Sequence, residues 1–160
     1  MVASARFEPA SRAVGSAVRS SIVINRPIEE VFAVLTNVEN TGKWFPGDVK
    51  EWWTSPPPHG VGSTRRARVK MGFMTTENDA VATVYEPPNR AVMRGTSKNA
   101  PFEAELKFAA IDGGTLVNAN IEMFLRGPAK LFGPMFIRWY GKSWDQGMVN
   151  LKRMMESEEL

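Results

Sequence analysis

Few side chains in this sequence could do chemistry, and their spacing narrows the field. There is one histidine and no cysteine, so thiolate metal sites and disulfides are excluded and no multi-histidine zinc set can form. His59 sits in "SPPPHG", a loop of turn residues, and reads as a solvated loop histidine. No run of carboxylates has calcium-loop spacing, and neither a metal nor another cofactor is expected. Glu29 and Glu30 open a helix, where negative charge complements the helix dipole. No serine stands in a G-x-S-x-G turn, and "GVGST" at 60–64 leads into a strand instead of a helix, so a phosphate cradle fails on context. A general acid or base would have to come from Glu77, Asp79, Glu122 or Tyr85, each of which reads first as a surface or structural residue. The parity of 74–86 is ambiguous, because Ala80, Ala82 and Val84 compete with Val81, Thr83 and Tyr85 for the inner face.

The elements that would position such groups follow from periodicity. Residues 17–25 alternate Val18, Ser20, Ile22 and Ile24 against Arg19, Ser21, Val23 and Asn25, as a strand requires. Pro27 then suits a helix start, and Ile28, Val31, Phe32, Leu35 and Val38 recur at helical spacing, broken near Asn37 to Gly42. Strand-like stretches follow, separated by "SPPPHG", "EPPNR" and "DGG". In the last pair Phe102, Ala104, Leu106 and Phe108 oppose Glu103, Glu105 and Lys107, and Val117, Ala119, Ile121 and Met123 oppose Asn118, Asn120 and Glu122. Such alternation predicts an antiparallel sheet with one dry and one wet face. The order is one strand, two short helices, about six strands and a long helix from Gly127 and Pro128 to about Ser157, with a kink or late start at Pro134. With no repeat or linker visible, the chain reads as one α+β domain over 15–160 behind a mobile arm over 1–14.

Charge excludes further classes. Twenty Lys plus Arg stand against 17 Asp plus Glu, but the basic residues form no block. In "STRRARVK" at 63–70 the arginines mostly mark the wet face of a half-buried strand, and no interleaved aromatics accompany them, so nucleic acid is not an expected partner. No stretch approaches the roughly 20 apolar residues of a membrane span, and the N-terminal residues lack the apolar run of a signal peptide. The expected location is cytoplasmic.

The long helix carries two apolar stripes. Tyr140, Trp144, Met148, Leu151 and Met155 lie opposite Asp145, Lys152, Arg153 and Glu156, as in a helix packed on a sheet. Leu131, Phe132, Met135, Phe136 and Trp139 form a separate cluster that needs another partner: core, cavity, a homodimer surface or an exposed binding face.

With these pieces in order the chain resembles the SRPBCC superfamily, whose helix-grip fold is shared by START lipid-transfer domains, birch-pollen-allergen-like proteins and polyketide cyclase/dehydrase-like proteins. The resemblance covers about residues 17–157. It rests on "SIVINRPIEEVFAVLTNVENTGKW" at 21–44, "GVGSTRRARVKMG" at 60–72, "VYEPPNRAVMRG" at 84–95, "GGTLVNANIEMFLRGP" at 113–128 and "NLKRMMES" at 150–157. It implies a curved antiparallel sheet of six to seven strands wrapped around the C-terminal helix, with an apolar cavity between them. The lining it implies is Phe32, Trp44, Phe45, Val69, Met71, Phe102, Leu106, Ile121, Met123, Phe136, Trp139 and Tyr140. Trp144 onward would close the core, while Phe136 to Tyr140 would look into the hollow or its mouth. The expected function is binding or transport of a small hydrophobic molecule, such as a lipid, polyketide or isoprenoid, in a cavity of at least a few hundred Å³. The alternatives are a cyclase or dehydratase acting in that cavity, and a protein-interaction or membrane-peripheral module.

Overall fold

The computed structural model describes residues 14–98 and 100–160. The arm expected over 1–14 lies outside the described residues except for Val14, which opens the first strand. The elements are β1 (Val14–Ile24), α1 (Ile28–Thr36), a short 3₁₀ turn (Val38–Asn40), α2 (Thr41–Trp44), β2 (Asp48–Trp53), β3 (Thr64–Met71), β4 (Met74–Glu86), β5 (Arg90–Gly95), β6 (Phe102–Ile111), β7 (Gly114–Leu125) and α3 (Ala129–Glu156). All seven strands form one sheet in the order β1-β7-β6-β5-β4-β3-β2. Every pairing is antiparallel, so the chain runs as a meander from β2 to β7 and β1 closes the edge beside β7.

The alternation in β7 becomes burial residue by residue: Thr115, Val117, Ala119, Ile121, Met123 and Leu125 are buried between less buried neighbours. On α3, Trp144, Met148, Leu151 and Met155 turn to the same core, with Met148 and Leu151 at 1% and 0% exposure. Burying side chains of this size contributes about 1.5–3 kcal/mol each. The end of the helix is tied to the first strand's exit, where Glu156 Oε1 accepts from Asn25 N at 2.9 Å and from Lys152 Nζ at 2.6 Å.

Two features depart from the reading of the sequence. The helix starts at Ala129 and runs through Pro134, not after it. The ambiguity along β4 has a physical origin in a bulge. Ala82 pairs with Met93 but Val84 pairs with Val92, so the register shifts between them. One extra residue reverses the parity, and Ala80 and Ala82 on one side of the bulge share the inner face with Tyr85 on the other.

Candidate functional site

Between the sheet and the helices lies a cavity of about 110 Å³. Its floor is apolar, with Ala82, Ala91, Met93, Ala104, Leu106 and Ile121 from the sheet, and Trp44, Tyr140 and Trp144 close it from the helices. The interior is thus smaller than the several hundred Å³ expected. The reason is aromatic filling: Trp144 meets Trp44 edge to face at 5.5 Å between centroids, and Phe45 packs on Trp144 at 5.9 Å and on Tyr140 at 5.8 Å. A more open cleft of about 240 Å³ on the outer face is lined by Thr54, Thr64, Arg66, Asp79 and Thr96, with the Arg66–Asp79 ion pair at 2.8 Å in its wall.

One wall of the inner cavity is not apolar. Glu51 of β2 and Arg65 of β3 both project inward, with side chains 17% and 8% exposed and Glu51 Oε2 3.8 Å from Arg65 Nε. Trp53 pairs with Arg65 across the strands and Glu51 with Ala67, so the two charged residues are diagonal neighbours on the inner face. The guanidinium donates from Nη1 to Asn78 Oδ1 and lies 5.4 Å from the Phe102 ring centroid. Burial pushes the Glu51 carboxyl above its ordinary pKa, against the opposing pull of the Arg65 charge and the Thr41 hydroxyl. Burial also pushes the Tyr140 phenol up to about 12. The Trp144 indole N–H pulls the phenol the other way, and Nε1 is buried with no hydrogen-bond partner of good geometry among the described residues. The cavity therefore combines a carboxyl, a guanidinium, a neutral phenol and an unused N–H donor.

Of the twelve residues expected to line the hollow, the structure brings Trp44, Phe102, Leu106, Ile121 and Tyr140 to its wall. Phe32 is buried beside the cavity against Tyr85 and Phe108. Phe45 and Met123 belong to the core around it. Val69 and Met71 are half-buried toward the far end of β3 and lie outside the cavity lining. Phe136 and Trp139 pack outside the cavity, Phe136 stacked on Tyr140 at 5.7 Å and Trp139 tilted against it. Among the four acid–base candidates, Tyr85 lines the cavity. Glu77 and Asp79 are paired with Arg68 and Arg66 on the outer face, and Glu122 is exposed. His59 stacks on Trp53 at 4.0 Å and contacts Ser55 O.

Glu51 and Arg65 are the site residues that sequence reasoning missed. A signal existed: Glu51 shares parity with Val49 and Trp53, and Arg65 shares parity with Ala67 and Val69. Each is a charged residue on an otherwise apolar alternation.

Phe102 depends on Gly95, its cross-strand neighbour. A Cβ at Gly95 would overlap the Phe102 ring, and that ring carries both the cavity wall and the Arg65 contact. Gly95→Ala is expected to cost about 1–3 kcal/mol through overpacking, measured by urea unfolding. The cost should shrink in a Phe102→Leu background; equal losses in both backgrounds would refute the assignment.

A seven-stranded sheet gripping a long C-terminal helix around an inner cavity defines the helix-grip class of the SRPBCC superfamily. The family model for polyketide cyclase / dehydrase and lipid transport proteins matches residues 16–156, and the chain belongs to that family. Uncharacterised proteins of Mycobacterium tuberculosis and Mycobacterium bovis are 29% identical over 106 residues, 64% of this chain; the match spans 62% of their length. Among solved structures, a Thermus thermophilus protein superposes with TM-score 0.74 at 14% identity, covering 91% of this chain and 100% of its own. Ara h 8.0201 gives 0.60 at 13% identity, covering 86% and 99%. BexL, a di-domain ARO/CYC from the BE-7585A biosynthetic pathway, gives 0.68 at 17% identity over 87% of this chain and 49% of that one. At such identities these likenesses bear on the fold. No helix of the described residues is long and apolar enough to cross a membrane, and no metal-binding group of His, Asp and Glu occurs among them.

Proposed function

We propose that this protein binds a small, largely apolar molecule carrying an oxygen function, with its polar end at Glu51, Arg65 and Tyr140. The observation that carries this reading is the buried charged pair on one wall of an otherwise apolar cavity, since a few placed polar groups in an apolar pocket orient a ligand. Membership in a family described by polyketide chemistry and lipid transport supports it. The cavity of about 110 Å³ is somewhat below the roughly 150 Å³ that holds a benzene ring. It therefore suits one compact group, and a larger molecule requires the rings of Trp44, Phe102, Tyr140 or Trp144 to turn aside. Native mass spectrometry of protein from its own host, followed by organic extraction, tests the reading. A bound hydrophobic molecule near one per chain, lost in Arg65→Met, is the expected result. An empty protein that also takes up no monocyclic ketone or phenol in titration would end it.

The polar cluster also favours turnover as a second reading. A carboxyl with a raised pKa beside a substrate carbonyl can remove a proton from the adjacent carbon, while Arg65 and Tyr140 stabilise the developing enolate oxygen. That enolate is the nucleophile an aldol cyclisation needs. Glu51→Gln would then abolish product formation while leaving ligand binding within a few fold, whereas a carrier shows no product in either form.

A further inference from the structure

A second region is shaped for contact outside the molecule. In the first half of α3, Leu131, Phe132 and Met135 are 81%, 67% and 71% exposed. At about 100° per residue, Leu131, Met135, Arg138 and Lys142 form one stripe on the side opposite Gly133, Tyr140 and Trp144. The stripe is apolar at the start of the helix and basic two turns later. From Arg126 to Trp144 the sequence holds Arg126, Lys130, Arg138 and Lys142 and no Asp or Glu.

The strand register puts a further apolar tip at the same end of the sheet. Val14 pairs with Leu125, Phe102 with Met123, Ala80 with Gly95, and Met71 with Met74. The β3–β4 turn, the β5–β6 connection and the start of α3 therefore share one end. Because β4 begins at Met74 and first pairs with β5 at Ala80, the hairpin stands about 15 Å or more beyond β5. Phe73 at its turn is 98% exposed and Met74 50%. By register the carboxylate nearest this hairpin is Asp48, across from the exposed Lys70, and Glu77 and Asp79 further along β4 are paired with Arg68 and Arg66.

We propose that this end docks on an anionic lipid bilayer, with Leu131, Phe132, Met135 and Phe73 entering the interface and Arg138 and Lys142 meeting the headgroups. Large apolar side chains beside a basic collar are the composition such an interface selects. The residues project from a helix and a hairpin turn without forming a groove, and a bilayer needs no matching shape. A second copy would bring the same basic charge and repel. The inference is independent of what the cavity binds.

Flotation of the full chain with phosphatidylcholine vesicles, with and without phosphatidylserine, tests it. Binding is expected only with phosphatidylserine and should weaken as salt rises. Arg138→Gln with Lys142→Gln should reduce it roughly twenty-five-fold, at about fivefold per basic residue. Leu131→Ser with Phe132→Ser and Met135→Ser should remove it, and Phe73→Ser should weaken it. Val61→Ser, an exposed apolar position at the opposite end of the sheet, should bind as the parent does and serves as the control for a generic loss of surface hydrophobicity. Far-UV circular dichroism must show each variant folded. Equal binding to neutral vesicles, absence of binding to both, or substitutions that abolish only self-association by light scattering would overturn the proposal.

Discussion

Arg65→Met is expected to lose about 3–5 kcal/mol of stability near neutral pH, the cost of leaving one member of a buried pair alone. The pH dependence identifies the cause. In the parent, Glu51 has a folded pKa raised by burial. Its contribution to stability is fully present below the unfolded carboxyl value of about 4.3 and is lost as pH rises through the folded value. Arg65 is the charge that lowers that folded value, so removing it extends the loss to higher pH. The Arg65→Met protein should therefore be penalised least at acid pH and most at mildly alkaline pH. Adding Glu51→Gln, which cannot ionise, should recover much of the loss and flatten the profile. Urea unfolding from acid to mildly alkaline pH gives both readings. A pH-independent loss, or a double variant as unstable as the single one, would show that packing of the Arg65 stem against Phe102 matters and the buried charge does not.

Trp144→Ala is expected to cost about 3–5 kcal/mol, the range for truncating a large buried aromatic. Trp144 is 9% exposed and its ring touches Trp44, Phe45 and Tyr140, so its removal leaves a void among rings that cannot all collapse inward. The void joins a cavity that already exists. Indole added at millimolar concentration should therefore raise the melting temperature of the variant while barely moving the parent, because a ligand that binds only the folded state stabilises it by mass action. A variant within 1 kcal/mol of the parent, or one that indole does not rescue, would mean that the neighbouring rings close the gap and that Trp144 does not hold the cavity open.

The two results bear on different parts of the proposed site. Loss of the charged wall should remove the anchor and with it near-stoichiometric binding, and loss of Trp144 should leave the charges in place with a looser boundary. Ligand binding measured in both variants then separates anchoring from enclosure.

Much of the architecture was legible in the sequence because, for the most regular elements, local periodicity decides which side chains face the core. Period-2 alternation in residues 102–108 and 117–123 set which residues of β6 and β7 face inward. The spacing of Trp144, Met148, Leu151 and Met155 set which side of α3 meets the sheet. The first half of α3 was not legible in this way. Its bulkiest residues left core, cavity, homodimer surface and exposed face all open; the helix turns Gly133 inward, where a Cβ would overlap Leu125, and leaves Leu131, Phe132 and Met135 outside. Burial there is decided by how closely the helix axis can approach the strands, and small residues permit the closest approach. The Glu51–Arg65 pair was hidden for a related reason: each looked like one charge in a short mixed strand, and only the register of β2 on β3 makes them neighbours. The β4 bulge likewise changes which residues share a face without any residue type announcing it. What the sequence by itself determined was therefore the set of elements and the dry faces of the most regular ones. The tertiary structure alone decided which charged groups the cavity holds and which apolar ones are left for an outside partner, because both depend on distances between segments that local spacing does not encode.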